Sequence, residues 1–316
     1  NYIFMNNDYS ATDSSLNGQG QKQRTYKDTG NFAAKITAAH EYHHCIQMGY
    51  AFELSWFSKI GEMTSTAMEV RLYPETTHYL QFVRALFRDI SQKRFTDTND
   101  NVGYYWSIFT QYIVHEFGDS LMLRFWEMTN LPKHHLELLD SAFRERGSSL
   151  GAEWCKFMDW IYFTGSRAID GEYFPQARMF PTSFSNKIDG KYNYGLYDYS
   201  DPSTGESGSL YPYDLRGVKI VFPSTQPNRN TDTCLFIMTN TDYSSIVNAT
   251  YESIDYSLIC SSQQSQGMEK LGTLNYFYTQ FQPSPFLCSH YYVNAGVPTE
   301  EAASAYPNPF RPAVHS

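Results

Sequence analysis

The chain has 316 residues, a formal net charge of −9 and a sequence pI near 5.5. This acidic balance argues against nucleic acid as the partner, because phosphate binding needs a basic surface. No apolar run is long enough to span a membrane. The length allows two domains, and a hydrophobic fraction of 41% allows a sizeable core.

The first residues give a strand-like run and no signal peptide. The chain starts at Asn1 rather than at Met, and residues 2–5 have no earlier segment to pair with. We therefore expect a processed chain from which a targeting segment, and an N-terminal region with it, has been removed. Abundant Asn, Ser, Thr and Tyr with few Lys are typical of extracellular proteins, so a secreted or cell-surface location is expected.

The first predicted helix covers residues 30–50 and carries HEYHH, an H-E-x-x-H motif. Histidines four positions apart stand one above the other on a helix, so His40 and His44 can reach the same metal ion. Glu41 lies between them and can hold and deprotonate a water molecule at that ion. The motif therefore indicates zinc-assisted hydrolysis.

A third ligand is expected from the next predicted helix, over residues 56–69, because catalytic zinc sites use three protein ligands. Glu62 lies 18 positions after His44. This gap suits a first helix, a short reversal and a second helix that returns alongside the first. Two alternatives stay open: Glu53, in the turn before the second helix, could be the third ligand, and His43 could replace His44.

Further helices are predicted up to residue 164 from the spacing of apolar residues. They cover residues 77–92, 102–117, 119–129, 135–146 and 149–164. A hydrolytic zinc site also needs a donor for the developing oxyanion. The aromatic helix over 102–117 offers Tyr104 and Tyr105 for this role, and His115 three turns later.

After Ser166 the sequence changes to short strand-like runs that are rich in Val, Ile, Tyr, Phe and Thr. A loop-rich stretch over 170–210 comes first, and the runs cover residues 209–213, 217–222, 233–239, 245–250, 254–260, 271–280 and 286–293. Short strands at this spacing predict an antiparallel β-sandwich. The predicted fold class is α+β, with a mainly helical domain over 1–168 and a β-sandwich-like domain over 169–300.

The chain has five cysteines, which suit one disulfide in each half and one cysteine left over. Cys45 and Cys155 lie in the helical half, and Cys234, Cys260 and Cys288 lie in the strand half. Five buried thiols are the alternative. Cys45 is not expected to bind metal, because its side chain points away from the face that carries the motif histidines.

HEYHH followed by GEMTSTAME, residues 61–69, resembles the gluzincin metallopeptidases, in which a ligand glutamate lies on the helix after H-E-x-x-H. Residues 1–165 more narrowly resemble a bacterial family of secreted metalloproteases, in which a Trp and then E-G-T-A-x-x-x-E follow the motif. The residues that fit this pattern are Trp56, Glu62, Thr64, Glu69, Tyr73, Pro74 and the aromatic helix that closes at Phe117 and Gly118. Met63 and Ser65 stand where the pattern has Gly and Ala.

The resemblance implies a zincin-like domain, a peptide or protein substrate and zinc metallopeptidase activity. The residues that it assigns are the Zn²⁺ ligands His40, His44 and Glu62, the general base Glu41 and the oxyanion donor Tyr104. No aminopeptidase-type G-x-M-x-N loop is visible, which favours an endopeptidase. Gluzincins often orient the first histidine with an acid where this chain has Thr66, so Glu69, Ser65 or a backbone oxygen would have to do so.

The tail carries AYPNPF, residues 305–310, which resembles the start of C-terminal sorting domains of type IX secretion substrates. We expect residues 301–316 to be a linker to such a domain, with attachment to the cell surface; a simple Pro-rich linker is the alternative. The second functional hypothesis is a surface structural or adhesive protein that keeps a zinc site with little or no activity. The oligomeric state does not follow from the sequence.

Overall fold

The computed structural model describes residues 3–293, except for residues 4, 7, 17, 26–27, 51–56, 89, 91–92, 98–100, 185–204, 223–231, 261–276 and 282–286. Glu53, Trp56 and the predicted linker over 301–316 thus lie outside the described residues. Helices and antiparallel sheets both contribute, so the fold is α+β as predicted. None of the described helices combines the length and the apolar composition that a membrane crossing requires.

The helices occupy most of the chain up to residue 162. They are α1 (Gly30–Tyr50), α2 (Glu62–Leu72), α3 (Leu80–Arg88), α4 (Val102–Phe117), α5 (Asp119–Glu127), α6 (His135–Arg144), α7 (Leu150–Tyr162) and the short α8 (Tyr243–Val247). A π-helical turn, Phe57–Gly61, runs directly into α2. The helices predicted up to residue 164 are confirmed, and their ends shift by a few residues.

The strands form three antiparallel sheets within the described residues. They are β1 (Ser14–Leu16), β2 (Lys22–Arg24), β3 (Gly205–Leu210), β4 (Leu215–Phe222), β5 (Asp232–Asn240), β6 (Ile254–Cys260), β7 (Phe277–Phe281) and β8 (Leu287–Val293). The sheet orders are β1-β2, β3-β6-β7 and β4-β5-β8. In the third sheet Leu215 pairs with Thr239, and Cys234 pairs with Val293. The β-sandwich arrangement stays a prediction.

The chain divides into two compact units. The first comprises Asn1–Leu86 and Asp97–Gly147, and the second comprises Phe87–Thr96 and Ser148–Ser316. Helix α7 therefore groups with the strands that follow it, and not with the helices that precede it. In the first unit α1 packs against α2, and α2 packs against α4.

Two strand predictions are wrong. Residues 245–250 were expected to be a strand, but helix α8 covers Tyr243–Val247. The side chain of Asp242 accepts hydrogen bonds from the backbone N–H groups of Ser244 and Ser245, at 3.0 and 3.3 Å. This N-cap starts a helical turn, and the local bonds outweigh the β-propensity of the segment. Near the N-terminus, Ile3 and Met5 are described and lie outside any strand.

The expected pairing of one disulfide per half is also wrong. Cys155 on α7 is bonded to Cys288 on β8, with their Cα atoms 6.1 Å apart. The two residues are far apart in sequence, but α7 and β8 belong to the same compact unit, which brings their Cα atoms within bonding range. Cys45 is a half-buried free thiol. The side chains of Cys234 and Cys260 lie outside those that the structure describes.

Candidate metal centre

Three side chains of the first unit converge on one point. The Nε2 atoms of His40 and His44 lie 3.0 Å apart, and Oε2 of Glu62 lies 3.0 Å from the first and 3.5 Å from the second. A tetrahedral ion with bonds of about 2.0–2.1 Å separates its ligand atoms by about 3.3 Å. The triangle has this size, so the group could hold a metal ion.

Local sequence explains why these three side chains meet. The buried face of α1 carries His40 among Ala33, Ile36 and Gln47, so the motif faces inward rather than toward solvent. Helix α2 offers that face mostly small side chains. Its buried residues are Met63, Thr64, Ser65, Thr66, Ala67 and Glu69. Small side chains on a helix face let the neighbouring helix come close, and Glu62 at the start of α2 can then reach both histidines.

A carboxylate orients the first histidine. Nδ1 of His40 donates to Oε1 of Glu69 at 2.8 Å, and Glu69 is only 2% exposed. This contact leaves Nε2 of His40 directed at Glu62, as in metal sites where a carboxylate fixes the histidine tautomer. Of the three partners expected for this histidine, namely Glu69, Ser65 or a backbone oxygen, the structure places Glu69 there. Thr66 is buried, and its hydroxyl has no hydrogen-bond partner in the part of the chain that is described.

An amide holds the second histidine, and sequence spacing alone does not predict it. Nδ1 of His44 donates to Oε1 of Gln47 at 2.8 Å. The Gln47 side chain is anchored in turn, because its Nε2 donates to Oγ1 of Thr64 at 2.7 Å and to the carbonyl of Gly61 at 3.1 Å. The sequence feature that indicates this contact is a polar amide, Gln47, three positions after His44 on the buried face of α1.

His43 does not join the ligand group. Its Nδ1 lies 2.9 Å from Oγ of Ser65 and 2.8 Å from Nε2 of Gln47. Burial, together with the neighbouring histidines, lowers the pKa of His43 to about 4, so its ring is neutral. The structure therefore places His44, and not His43, beside Glu62.

The electrostatics of the group favour a cation. Burial alone would lower the pKa of His40, but hydrogen bonds to Glu62 and Glu69 outweigh it and raise that pKa to about 9. Burial would raise the pKa of Glu62, but hydrogen bonds to His40, His44 and Tyr104 lower it far below its usual range. The carboxylates of Glu62 and Glu69 thus stabilise a positive charge at His40, and a bound metal ion would supply such a charge.

Tyr104 lies against the same group. Its ring stacks on His40, with centroids 5.9 Å apart and planes 6° apart, and its hydroxyl hydrogen-bonds to Glu62. Burial and then Glu62 raise the pKa of this hydroxyl well above its usual range, so it keeps its proton.

The other two oxyanion candidates lie elsewhere on α4. Tyr105 is the next residue, about 100° further round the helix. His115 is exposed and lies 3.1 Å from Glu116.

Gly103 allows Tyr104 to approach so closely. A Cβ atom at this position would lie 2.6 Å from Cβ of Glu62 and would also overlap the carbonyl oxygen of Lys59. Any other residue would therefore push α4 away from α2.

The candidate base Glu41 is half-buried on α1, and its charge contributes to the raised pKa of Tyr104.

The chain matches no protein-family model, no curated protein and no solved structure. The resemblance to gluzincins therefore stays a prediction that rests on the motif residues. The structure adds the grouping of His40, His44 and Glu62 with their hydrogen-bond partners.

Proposed function

We propose that this protein is a secreted zinc-dependent metallopeptidase, and that His40, His44 and Glu62 are its zinc ligands. The observation that carries the proposal is the triangle of ligand atoms, with sides of 3.0, 3.0 and 3.5 Å. Two imidazoles and one carboxylate form the donor set of many catalytic zinc sites, in which the fourth position is open. When bound, Zn²⁺ supplies Lewis-acid chemistry that acidifies water and polarises a carbonyl group.

The proposed role of Glu41 is that of general base. It lies between the two ligand histidines on α1, where its carboxylate can take a proton from the attacking water and pass it to the leaving amine. Tyr104 is the proposed oxyanion donor. Its hydroxyl stays protonated and now bonds to Glu62, so rotation of the hydroxyl about its C–O bond would redirect that proton to the carbonyl oxygen of a substrate.

The proposal extends to a peptide or protein substrate cleaved within the chain. Secretion is supported by the composition and by the AYPNPF segment at residues 305–310. A β-sandwich-like second domain is supported by two three-stranded antiparallel sheets, β3-β6-β7 and β4-β5-β8.

The test is the metal content and the hydrolysis of a broad peptide library before and after Glu41→Gln. We expect both proteins to bind one zinc ion, and we expect the variant to lose about 10²- to 10⁴-fold in rate, the usual contribution of a general base. Glu75→Gln, at an exposed position outside the site, is the matched control and should be fully active. Zinc binding with equal inactivity of wild type and Glu41→Gln would support the structural or adhesive protein instead.

A further inference from the structure

We infer that His78 is a positioning residue of the metal centre, which acts through Glu69 on His40. Nδ1 of His78 donates to Oε2 of Glu69 at 3.1 Å, while Oε1 of the same carboxylate accepts from His40 at 2.8 Å. The inference rests on the proposed function, since it concerns the ion that His40 would bind.

Glu69 needs this second contact because it is buried. It is 2% exposed, and a buried carboxylate oxygen without a donor is strongly unfavourable. Without the N–H donor of His78, the Glu69 carboxylate would turn toward solvent to recover a hydrogen bond with water. Its hydrogen bond to Nδ1 of His40 would then lengthen. His40 could then rotate, and its Nε2 would no longer be held opposite Glu62.

The position of His78 is itself fixed from two sides. Its backbone N–H donates to Oγ1 of Thr76 at 3.2 Å, and Thr76 is fully buried. Its ring packs edge-on against Phe82, with centroids 5.9 Å apart. The donor nitrogen is therefore held toward Glu69 by the loop before α3 and by α3 itself.

These contacts close a ring around the first ligand. Phe82 stacks on Tyr104 with centroids 4.8 Å apart, and Tyr104 stacks on His40. The circuit runs through His40, Glu69, His78, Phe82 and Tyr104, and back to His40. A residue from outside the motif thus supports both the proposed ligand and the proposed oxyanion donor.

His78 can be replaced without opening the hydrophobic core. Its side chain is 33% exposed, and it lines a polar cavity of about 460 Å³ together with Arg24, Asp28, Thr37 and Gln81. Because the ring faces this cavity, changes in metal binding after its substitution can be separated from loss of packing. Gln81 shares the cavity and supplies a matched control.

The experiment compares His78→Phe, His78→Gln and Gln81→Ala in the full chain. Zinc affinity is measured by competition with a chelator, the visible spectrum is recorded with Co²⁺, and melting of the metal-free protein is followed. We expect His78→Phe, which keeps a ring but no donor, to bind zinc about 10- to 100-fold more weakly, as for other partners of ligand histidines. Its Co²⁺ spectrum should change as well.

The two other variants give the contrast. His78→Gln supplies an N–H donor and should recover most of the affinity, while Gln81→Ala should match the wild type. The inference is overturned if His78→Phe keeps the zinc affinity and the Co²⁺ spectrum of the wild type. It is also overturned if, across the three variants, each loss of zinc affinity is matched by a proportional loss of stability of the metal-free protein. A wild type that binds zinc but cleaves no peptide would end the peptidase proposal and leave this inference standing.

Discussion

The two units both bury polar side chains, but they use them differently. In the second unit, Trp154 donates to Thr239 at 3.0 Å, and Asn240 donates to the carbonyl of Leu210 at 3.1 Å. These bonds satisfy backbone and ring groups and complete the fold. In the first unit, Glu69 and Gln47 each occupy one nitrogen of a histidine and leave the other nitrogen directed at a common point.

The difference shows how a site can be recognised. Burial of a polar group is not enough, because Asn240 and Thr239 are as buried as Glu69. What distinguishes the first unit is that hydrogen bonds occupy Nδ1 of His40 and of His44 and leave both Nε2 atoms directed at one point, where their lone pairs could bind a metal ion. The following substitutions test whether metal binding belongs to the first unit alone.

The largest effect is expected from Glu62→Ala. Removing a ligand should weaken zinc binding by more than about 100-fold, because even changes to partners of ligands cost up to that factor. In the wild type, zinc at 100 times its Kd should raise the free energy of unfolding by about 2.7 kcal/mol, and the variant should lose most of this gain. Thermal melting with and without zinc is the measurement, and Glu75→Gln should retain the gain. Full zinc stabilisation of Glu62→Ala would refute the ligand assignment.

A medium effect is expected from alanine at two glycines, each the second residue of its helix. At Gly103 on α4, Cβ would lie 2.6 Å from Cβ of Glu62, whereas at Gly151 on α7 it would lie 3.2 Å from Thr241. Both changes gain the same helix propensity, so their difference reports steric strain. Gly103→Ala should cost about 1–3 kcal/mol in urea unfolding and weaken zinc binding. Gly151→Ala should cost less and leave zinc binding unchanged; equal zinc affinity for the two variants would contradict this account.

The smallest effect is expected in the second unit, from Asp242→Ala. Loss of the cap of α8 should lower the free energy of unfolding by about 1 kcal/mol, with no change in zinc affinity. Asp242→Asn keeps an acceptor and should restore the stability. A drop in zinc affinity for Asp242→Ala would show that metal binding is coupled to the second unit and does not belong to the first unit alone.

Features set by local spacing could be predicted from the sequence. Helix α1 was predicted with the bounds Gly30–Tyr50, and Glu62 was placed near the motif, because helical periodicity and a short reversal fix both. The partners of the histidines could not be ranked, because they depend on how α1, α2 and the loop before α3 pack. Gln47 and His78 were missed for that reason. The disulfide between Cys155 and Cys288 was missed because it depends on which unit contains α7.

The π-helical turn before α2 has a consequence for how the centre assembles. At this turn the carbonyl of Ile60 accepts from Oγ1 of Thr64 at 2.8 Å, and the carbonyl of Gly61 accepts from Gln47 at 3.1 Å. Gln47 also holds His44, so the backbone next to Glu62 is tied to the second histidine. The helices cannot slip past each other without breaking these bonds. The three candidate ligand side chains are thus held together by folding itself, so binding of a metal ion there would require little further loss of conformational entropy.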